Sequence, residues 1–278
     1  MKTNELINIG SKYLKQKKIP SNRLDSEIIL SHIMGVPREN LLINEKTVKN
    51  HNVKKFKSLI QRRSEKEPVA YITKNKEFRS TDFFVDKNSL IPRPETELLI
   101  DPIISKYKRK SLFFLDIGVG SGCIILSILR EIQNSKGIGI DISKKTLFNA
   151  KKNLMKFNLQ NRAKLVHKSI DGISDFKFDL IVSNPPYIES RDIKRLSDDI
   201  NKYEPRSALD GGKDGLDVLR KVIYKSKYIL KSSGILALEI GNKQYLSVSN
   251  MLKRNNFREI QLIKDYKDNI RCIFSTLR

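Results

Sequence analysis

The sequence predicts an α/β protein: a mostly parallel, seven-stranded sheet preceded by a small helical domain. Three observations predict it. From residue 111 onward, short apolar runs alternate with amphipathic segments. The first 75 residues show helical spacing and no period-2 alternation. Between the two lies a stretch rich in Phe, Thr and Val that reads as a hairpin.

In the first part, apolar positions recur at helical spacing in NELINIGSKYLKQK and in LDSEIILSHIMGV. Ser21 is the expected N-cap of the second helix, and Gly35 followed by Pro37 its stop. A further helix runs through NVKKFKSLIQRRSEK and ends before Pro68. Residues 1–75 are thus read as a helical bundle, and residues 76–90, KEFRSTDFFVDKNSL, as a β-hairpin linker with a turn at D-K-N-S. In I-P-R-P-E-T-E, Ile91 to Glu97, the prolines fix an extended lead-in, and the acids suit the first turn of a helix.

The third part, residues 91–278, carries the alternation. SLFFLDIG is a strand, SGCIILSILREIQN a helix, GIGIDIS a strand and KKTLFNAKKNLMKFN a helix. AKLVHKSI and FDLIVSN are strands, GLDVLRKVIYKSKYIL a helix, GILALEIG a strand and YLSVSNMLKRNN a helix. FREIQLIKD and IRCIFSTL close the chain as an antiparallel edge pair.

Composition narrows the function classes. There is no apolar run of about 18 residues and no apolar N-terminal stretch, which argues against a membrane span and against secretion. Cys123 and Cys272 are far apart, and His32, His51 and His167 are scattered, so neither a disulfide framework nor a metal site is expected. A reducing cytoplasm is the expected location. The formal charge of +23 is compatible with nucleic-acid contact without requiring it. The basic residues are spread along a chain also rich in Asn and Ile, as an AT-rich coding bias would produce.

Three motifs point to chemistry. The first strand runs into D-I-G-V-G-S-G, Asp116 to Gly122, at the strand-to-helix turn that cradles ligands in doubly wound sheets. The second strand ends in Asp141, placed to accept hydrogen bonds from both hydroxyls of an adenosine ribose. The glycines are spaced by two and follow an acid. An acid there would repel a pyrophosphate and favour the ammonium and sulfonium of S-adenosylmethionine. The third motif, S-N-P-P-Y, ends the fourth strand, which neighbours the first. Asn184 brings one amide acceptor and two donors. Pro185 and Pro186 have no N–H, and Tyr187 offers a flat face. Together they suit a planar –NH₂, with its hydrogens on the Asn184 side-chain oxygen and the Pro185 carbonyl, and its lone pair aimed at an incoming methyl group. Positioning and electrostatics do most of this work, with no histidine base.

These motifs resemble those of class I methyltransferases that act on exocyclic or amide nitrogens. With I-P-R-P-E-T-E, the segment E-P-R-S-A-L-D-G-G-K-D-G-L (Glu204 to Leu216) and D-Y-K-D-N-I-R (Asp265 to Arg271), the chain resembles the HemK/PrmC family over nearly its whole length. The resemblance implies methyl transfer from S-adenosyl-L-methionine to the glutamine side-chain nitrogen (N5) in the Gly-Gly-Gln loop of peptide chain release factors. It implies that Gly118, Val119, Gly120, Ser121, Gly122 and Asp141 hold the methyl donor, with Asn184 beside it, and that Asn184, Pro185, Pro186 and Tyr187 hold the amide. Where such proteins carry an acid and a large residue around the adenine, this chain has Ser169 and Ile170, so Ile170 is expected to pack on the ring, and the acidic contact is missing unless Asp171 replaces it. Residues 1–75 are expected to dock the partner. Two alternatives share the chemistry: an amino methyltransferase of nucleic acid (adenine N6 or guanine N2), and a glutamine methyltransferase of a ribosomal protein. A binding module without turnover would be expected to have lost the glycine turn or N-P-P-Y, and both are intact.

Overall fold

The computed structural model describes residues 1–174 and 176–278. Among them the chain forms two compact units.

The first unit comprises Met1–Asn75 and Ser197–Tyr203. Its helices are α1 (Thr3–Gln16), α2 (Asn22–Met34), α3 (Arg38–Ile43), α4 (Asn50–Ser64) and α5 (Val69–Thr73). The helical spacing read from the sequence has a direct outcome: Leu6, Ile7, Leu14, Ile29, Leu30, Phe56 and Ile60 meet in one buried cluster. Helices α1, α2 and α4 approach closely at Gly10, where a Cβ would lie 2.7 Å from the Phe56 ring and 2.9 Å from the Ser26 hydroxyl. Gly35 ends α2 in the left-handed conformation, φ 64°, as its position predicts. Ser21 does precede α2, but its hydroxyl donates to Asp25 Oδ2 (2.7 Å) and makes no cap bond to the backbone.

The second unit comprises Lys76–Leu196 and Glu204–Arg278. Strands β1 (Asn75–Phe78) and β2 (Thr81–Phe84) pair through a two-residue turn, Arg79–Ser80, both with positive φ. That turn matches the twist of the strands. D-K-N-S is therefore a separate turn after the hairpin, closed by Ser89 N–H to the Asp86 carbonyl (3.0 Å). Pro94–Leu99 forms a 3₁₀ turn with Pro94 at its start, leading into α6 (Ile100–Tyr107).

The alternation then follows as β3 (Leu112–Ile117), α7 (Cys123–Glu131), β4 (Ser135–Asp141), α8 (Lys144–Lys156), β5 (Ala163–His167) and β6 (Phe178–Ser183). A short helix, α9 (Asp198–Tyr203), falls within the first unit. Next come α10 (Asp217–Ile229), β7 (Leu230–Glu239), α11 (Tyr245–Arg254), β8 (Phe257–Lys264) and β9 (Ile270–Leu277). The sheet order is β5-β4-β3-β6-β7-β9-β8. The first five strands in that order are parallel, and β9 runs antiparallel to both neighbours. This is the seven-stranded, mostly parallel sheet with an antiparallel edge that the sequence predicts. Two buried clusters are built on the sheet, one including Phe114, Ile125, Leu129 and Leu180, the other Leu115, Ile181, Leu219 and Leu236. The chain order reverses between β3 and β6, so their C-terminal ends open on one crevice.

Candidate active site

The crevice holds a cavity of about 390 Å³, within the range of small-molecule sites. It is lined by the tips of three strands and by residues of several other segments. From β3 come Ile117, Gly118 and Gly120; from β4, Ile140 and Asp141; and from the end of β6, Asn184 and Pro186. The remaining wall includes Leu90, Ser169 to Asp171, Pro205, Ser207 and Ala208.

The glycine turn divides its labour. Gly118 and Gly120 have φ of 75° and 56°, and a Cβ on Gly118 would meet nothing within 4 Å. Their bare backbone faces the cavity. The amides of Gly118 and Val119 both donate to the Ile140 carbonyl at 2.9 Å, pinning the turn to β4. Val119, Ser121 and Gly122 are not among the lining residues. Val119 is packed into the core, and the Ser121 carbonyl accepts from Asn153 Nδ2 at 2.8 Å. Gly122 starts α7 at φ 85°, with Leu126 3.0 Å from where its Cβ would be.

Asp141 lines the cavity as its position at the tip of β4 predicts. Its Oδ1 accepts from Ser143 N–H (2.9 Å) and its Oδ2 from Gly120 N–H (3.2 Å). Each oxygen keeps lone-pair capacity for a hydroxyl. Burial raises its pKa, and those backbone bonds act against the rise. Asp116 departs from the sequence reading. It is fully buried, its Oδ2 accepts from Ile125 N–H in α7 (3.1 Å), and it does not line the cavity. Burial pushes its pKa up to about 7. Its place is beneath the turn, so the expected direct repulsion of a pyrophosphate does not operate by contact. Ile170, in a short 3₁₀ turn after β5, is buried and lines the cavity with Asp171.

Asn184 follows β6, whose last residue Ser183 donates its hydroxyl to the Ile117 carbonyl (2.8 Å). Asn184 Nδ2 donates to Thr96 Oγ1 at 2.9 Å, and Thr96 Oγ1 donates to Glu239 Oε2 at 2.7 Å. Tyr187 turns its hydroxyl toward the same carboxylate, 3.3 Å from Oε1. Arg271 Nη2 donates to the Tyr187 hydroxyl (3.1 Å), and its guanidinium lies 5.4 Å from the Tyr187 ring centre. Pro185 is buried, and neither it nor Tyr187 lines the cavity.

The segment after α9 holds this loop from behind. Ile188 N–H donates to the Leu209 carbonyl (3.0 Å), and Gly211 N–H to the Ile188 carbonyl (2.8 Å). A Cβ on Gly211 would lie 2.8 Å from the Pro186 carbonyl oxygen, and one on Gly215 2.5 Å from that of Tyr187. Those contacts give E-P-R-S-A-L-D-G-G-K-D-G-L a physical reason for its glycines. At the start of the same segment, the buried Glu204 takes an ion pair from Arg93 and the Ile91 N–H (3.2 Å). Thr96, Glu204 and Glu239 had no assigned role in the sequence reading. An acid inside the apolar run G-I-L-A-L-E-I-G was the signal for Glu239, since a central strand buries an acid only against partners.

The chemistry of the cavity fits an adenosine-bearing sulfonium. It has a side-chain-free backbone cradle at Gly118 and Gly120, a carboxylate with free acceptor capacity at Asp141, and apolar walls at Ile140 and Ile170.

Fold and site together define an α/β methyltransferase. A methyltransferase from Pyrococcus furiosus shares the fold, with a TM-score of 0.53 at 19% identity over 72% of this chain and 90% of that one. The PrmC N-terminal domain family matches residues 5–73, and the methyltransferase small domain family matches residues 94–200. The release factor glutamine methyltransferase of Clostridium acetobutylicum is 38% identical over 253 residues, 87% of each chain. That of Buchnera aphidicola is 40% identical over 253 residues, 91% of each chain. The chain belongs to the release factor glutamine methyltransferase family.

Proposed function

We infer that this enzyme transfers a methyl group from S-adenosyl-L-methionine to the side-chain nitrogen of the Gly-Gly-Gln glutamine in peptide chain release factors. Family membership supports the activity. One observation carries the site assignment: Asn184 lines the same cavity as Gly118, Gly120 and Asp141, with its Nδ2 already committed to Thr96. Its Oδ1 is then the acceptor left for a substrate amide.

The geometry supports a role for each residue in this reading. Asp141 accepts the ribose hydroxyls, Ile170 packs on the adenine, and the cradle of Gly118 and Gly120 admits the methionine end. Val119, Ser121 and Gly122 shape that cradle from behind. S-adenosylmethionine, when bound, supplies a methyl group on a positively charged sulfur. Asn184 Oδ1 and the Pro185 carbonyl accept the two amide hydrogens, which turns the nitrogen lone pair into line with that methyl. Pro185 and Pro186 keep the loop stiff, and Tyr187 braces it. An amide nitrogen is a poor nucleophile, so in-line holding and fixed dipoles supply the rate. Residues 1–75 act as the docking surface for the body of the release factor, residues 76–90 as linker and residues 91–278 as the transferase. The partner is a translation factor, and no helix among the described residues is long and apolar enough to cross a membrane. The cytoplasm is the proposed place of action.

The test is methyl transfer from labelled S-adenosylmethionine to purified release factor, with the modified peptide located by mass spectrometry. The label is expected on the Gly-Gly-Gln glutamine. Asn184→Ala should lower the rate by roughly 10²- to 10³-fold. Label on RNA, DNA or a ribosomal protein in place of release factor would overturn the substrate.

A further inference from the structure

We propose that Thr96 and Glu239 are positioning residues. They form a one-way hydrogen-bond relay, Asn184 to Thr96 to Glu239, that forces the Asn184 carboxamide to present its oxygen to the substrate. The proposal rests on the reading of Asn184 as acceptor of the glutamine amide.

The direction of the relay follows from counting hydrogens. A threonine hydroxyl has one hydrogen. Here it goes to Glu239 Oε2 at 2.7 Å, a charge-assisted bond when Glu239 is ionised. Thr96 Oγ1 can then only accept from Asn184, 2.9 Å away, so the amide must turn its NH₂ inward. Asn184 Oδ1 is left pointing the other way. Were Glu239 protonated on Oε2, it would donate to Thr96. The Thr96 hydrogen would then be free for Asn184, the amide would invert, and an NH₂ would face the NH₂ of the substrate. Donor against donor makes no bond. The ionised carboxylate thus sets the orientation of a group two hydrogen bonds away.

The structure holds Glu239 for this task. It sits at the C-terminal end of β7, fully buried, where an uncompensated charge would be costly. Arg271 Nη2 lies 3.7 Å from Oε1, and the Tyr187 hydroxyl contacts both groups. The groups acting on Glu239 come from several elements. Thr96 and Glu95 are on the 3₁₀ turn, Tyr187 on the loop after β6, Arg271 and Cys272 on β9, and Cys123 on α7. Burial pushes Glu239 up to about 7, helped by Glu95 and opposed by Thr96, Arg271 and Tyr187. Burial also raises the Tyr187 hydroxyl and both thiols, Cys123 to about 12, so these stay neutral where Glu239 titrates. Activity should therefore rise with pH as Glu239 loses its proton. Burial also pushes Asp116 up to about 7, and the variants separate it from Glu239.

The experiment measures methylation of release factor by the full-length enzyme over a range of S-adenosylmethionine concentrations, between pH 5.5 and 9. Thr96→Val keeps the shape and removes the hydroxyl. It should lower kcat about 10- to 100-fold with KM for S-adenosylmethionine little changed. Thr96→Ser should restore kcat to within a few fold. Glu239→Gln should abolish the rise of kcat with pH near neutrality, while Asp116→Asn should keep it. Asn184→Ala is run alongside. If Asn184→Ala loses activity while Thr96→Val does not, the relay falls and the reading of the site stands. If Asn184→Ala keeps full activity, the site reading falls and takes the relay with it. A pH rise that persists in Glu239→Gln also overturns the proposal. Should Thr96→Val fail to fold, the pH profile of Glu239→Gln beside that of Asp116→Asn decides the matter.

Discussion

A buried carboxylate is informative according to what surrounds it, and the two deepest acids in the sheet unit make the contrast. Glu239 has a hydroxyl on each oxygen and a guanidinium 3.7 Å away. Asp116 has one backbone N–H on Oδ2, and no partner among the described residues reaches Oδ1. Its pKa, pushed to about 7 by burial, lies above that of an unfolded aspartate. The folded state therefore holds a proton that the unfolded state has lost, and stability declines as pH rises from about 4 to about 7. Asp116→Asn should remove that decline. Its unfolding free energy relative to wild type should improve by on the order of 3 kcal/mol between pH 4 and pH 8. Chemical denaturation of both proteins at the two values measures it; parallel pH dependences would sink the idea. The same residue marks where residue-scale reading from sequence stops. The acid before a glycine turn was visible, but the direction of its side chain was not. Spacing along the chain fixes which residues share a turn, and does not decide whether a carboxylate faces the ligand or the helix behind it. Asp141 was legible because a strand tip has one exit, whereas Ile170 was reached only through the family resemblance.

At the scale of elements, the strand-and-helix alternation left little freedom. Parallel strands joined by helices cross over right-handed, which accounts for the run β3, β4, β5; the return from β5 to β6, beside β3, carries only the 3₁₀ turn Ile170–Gly172 and is not fixed by that rule. What the pattern could not give was the irregular stretch from Glu204 to Leu216, which has no period to read. Its structure is fixed by backbone bonds to the loop that carries Asn184, and by Gly211 and Gly215, where a Cβ would press on that loop's backbone. Gly215 combines both constraints: its φ is 73°, and a Cβ would press on the Tyr187 carbonyl at 2.5 Å. Gly215→Ala should therefore strain the turn and push the N-P-P-Y loop out of place. The expected loss is about 1–3 kcal/mol of stability, with kcat falling more than KM for S-adenosylmethionine rises. Thermal unfolding and steady-state kinetics on the same preparation check it. An alanine variant with wild-type kcat would mean that the loop is held by other contacts.

For the whole molecule, the question is how a cavity of about 390 Å³ selects one glutamine among all those exposed on cellular proteins. In the proposed reading Asn184 accepts a planar amide at this cavity, and an amide alone carries no identity. Selection must then come from a surface beyond the cavity, and the helical unit is the candidate that the chain offers. That unit includes a segment distant in sequence: Arg63 on α4 pairs with Asp25 (2.6 Å) and with Asp199 on α9 (2.9 Å). A bond spanning 136 positions, made by a six-residue helix, leaves no trace in local periodicity, which is why α9 was not legible. Arg63 is buried, so Arg63→Ala would leave Asp25 buried without its counter-ion and destabilise the helical unit by roughly 3–5 kcal/mol. The residues proposed to hold the acceptor amide lie wholly in the sheet unit. The variant should therefore lose most of its activity on intact release factor at temperatures where the helical unit is loosened. Methyl transfer to a high concentration of a short Gly-Gly-Gln peptide should survive. Comparing the two substrates across a temperature series separates docking from chemistry. Equal losses on both would mean that the helical unit is needed to build the site itself, and equal retention would mean that recognition lies elsewhere on the protein.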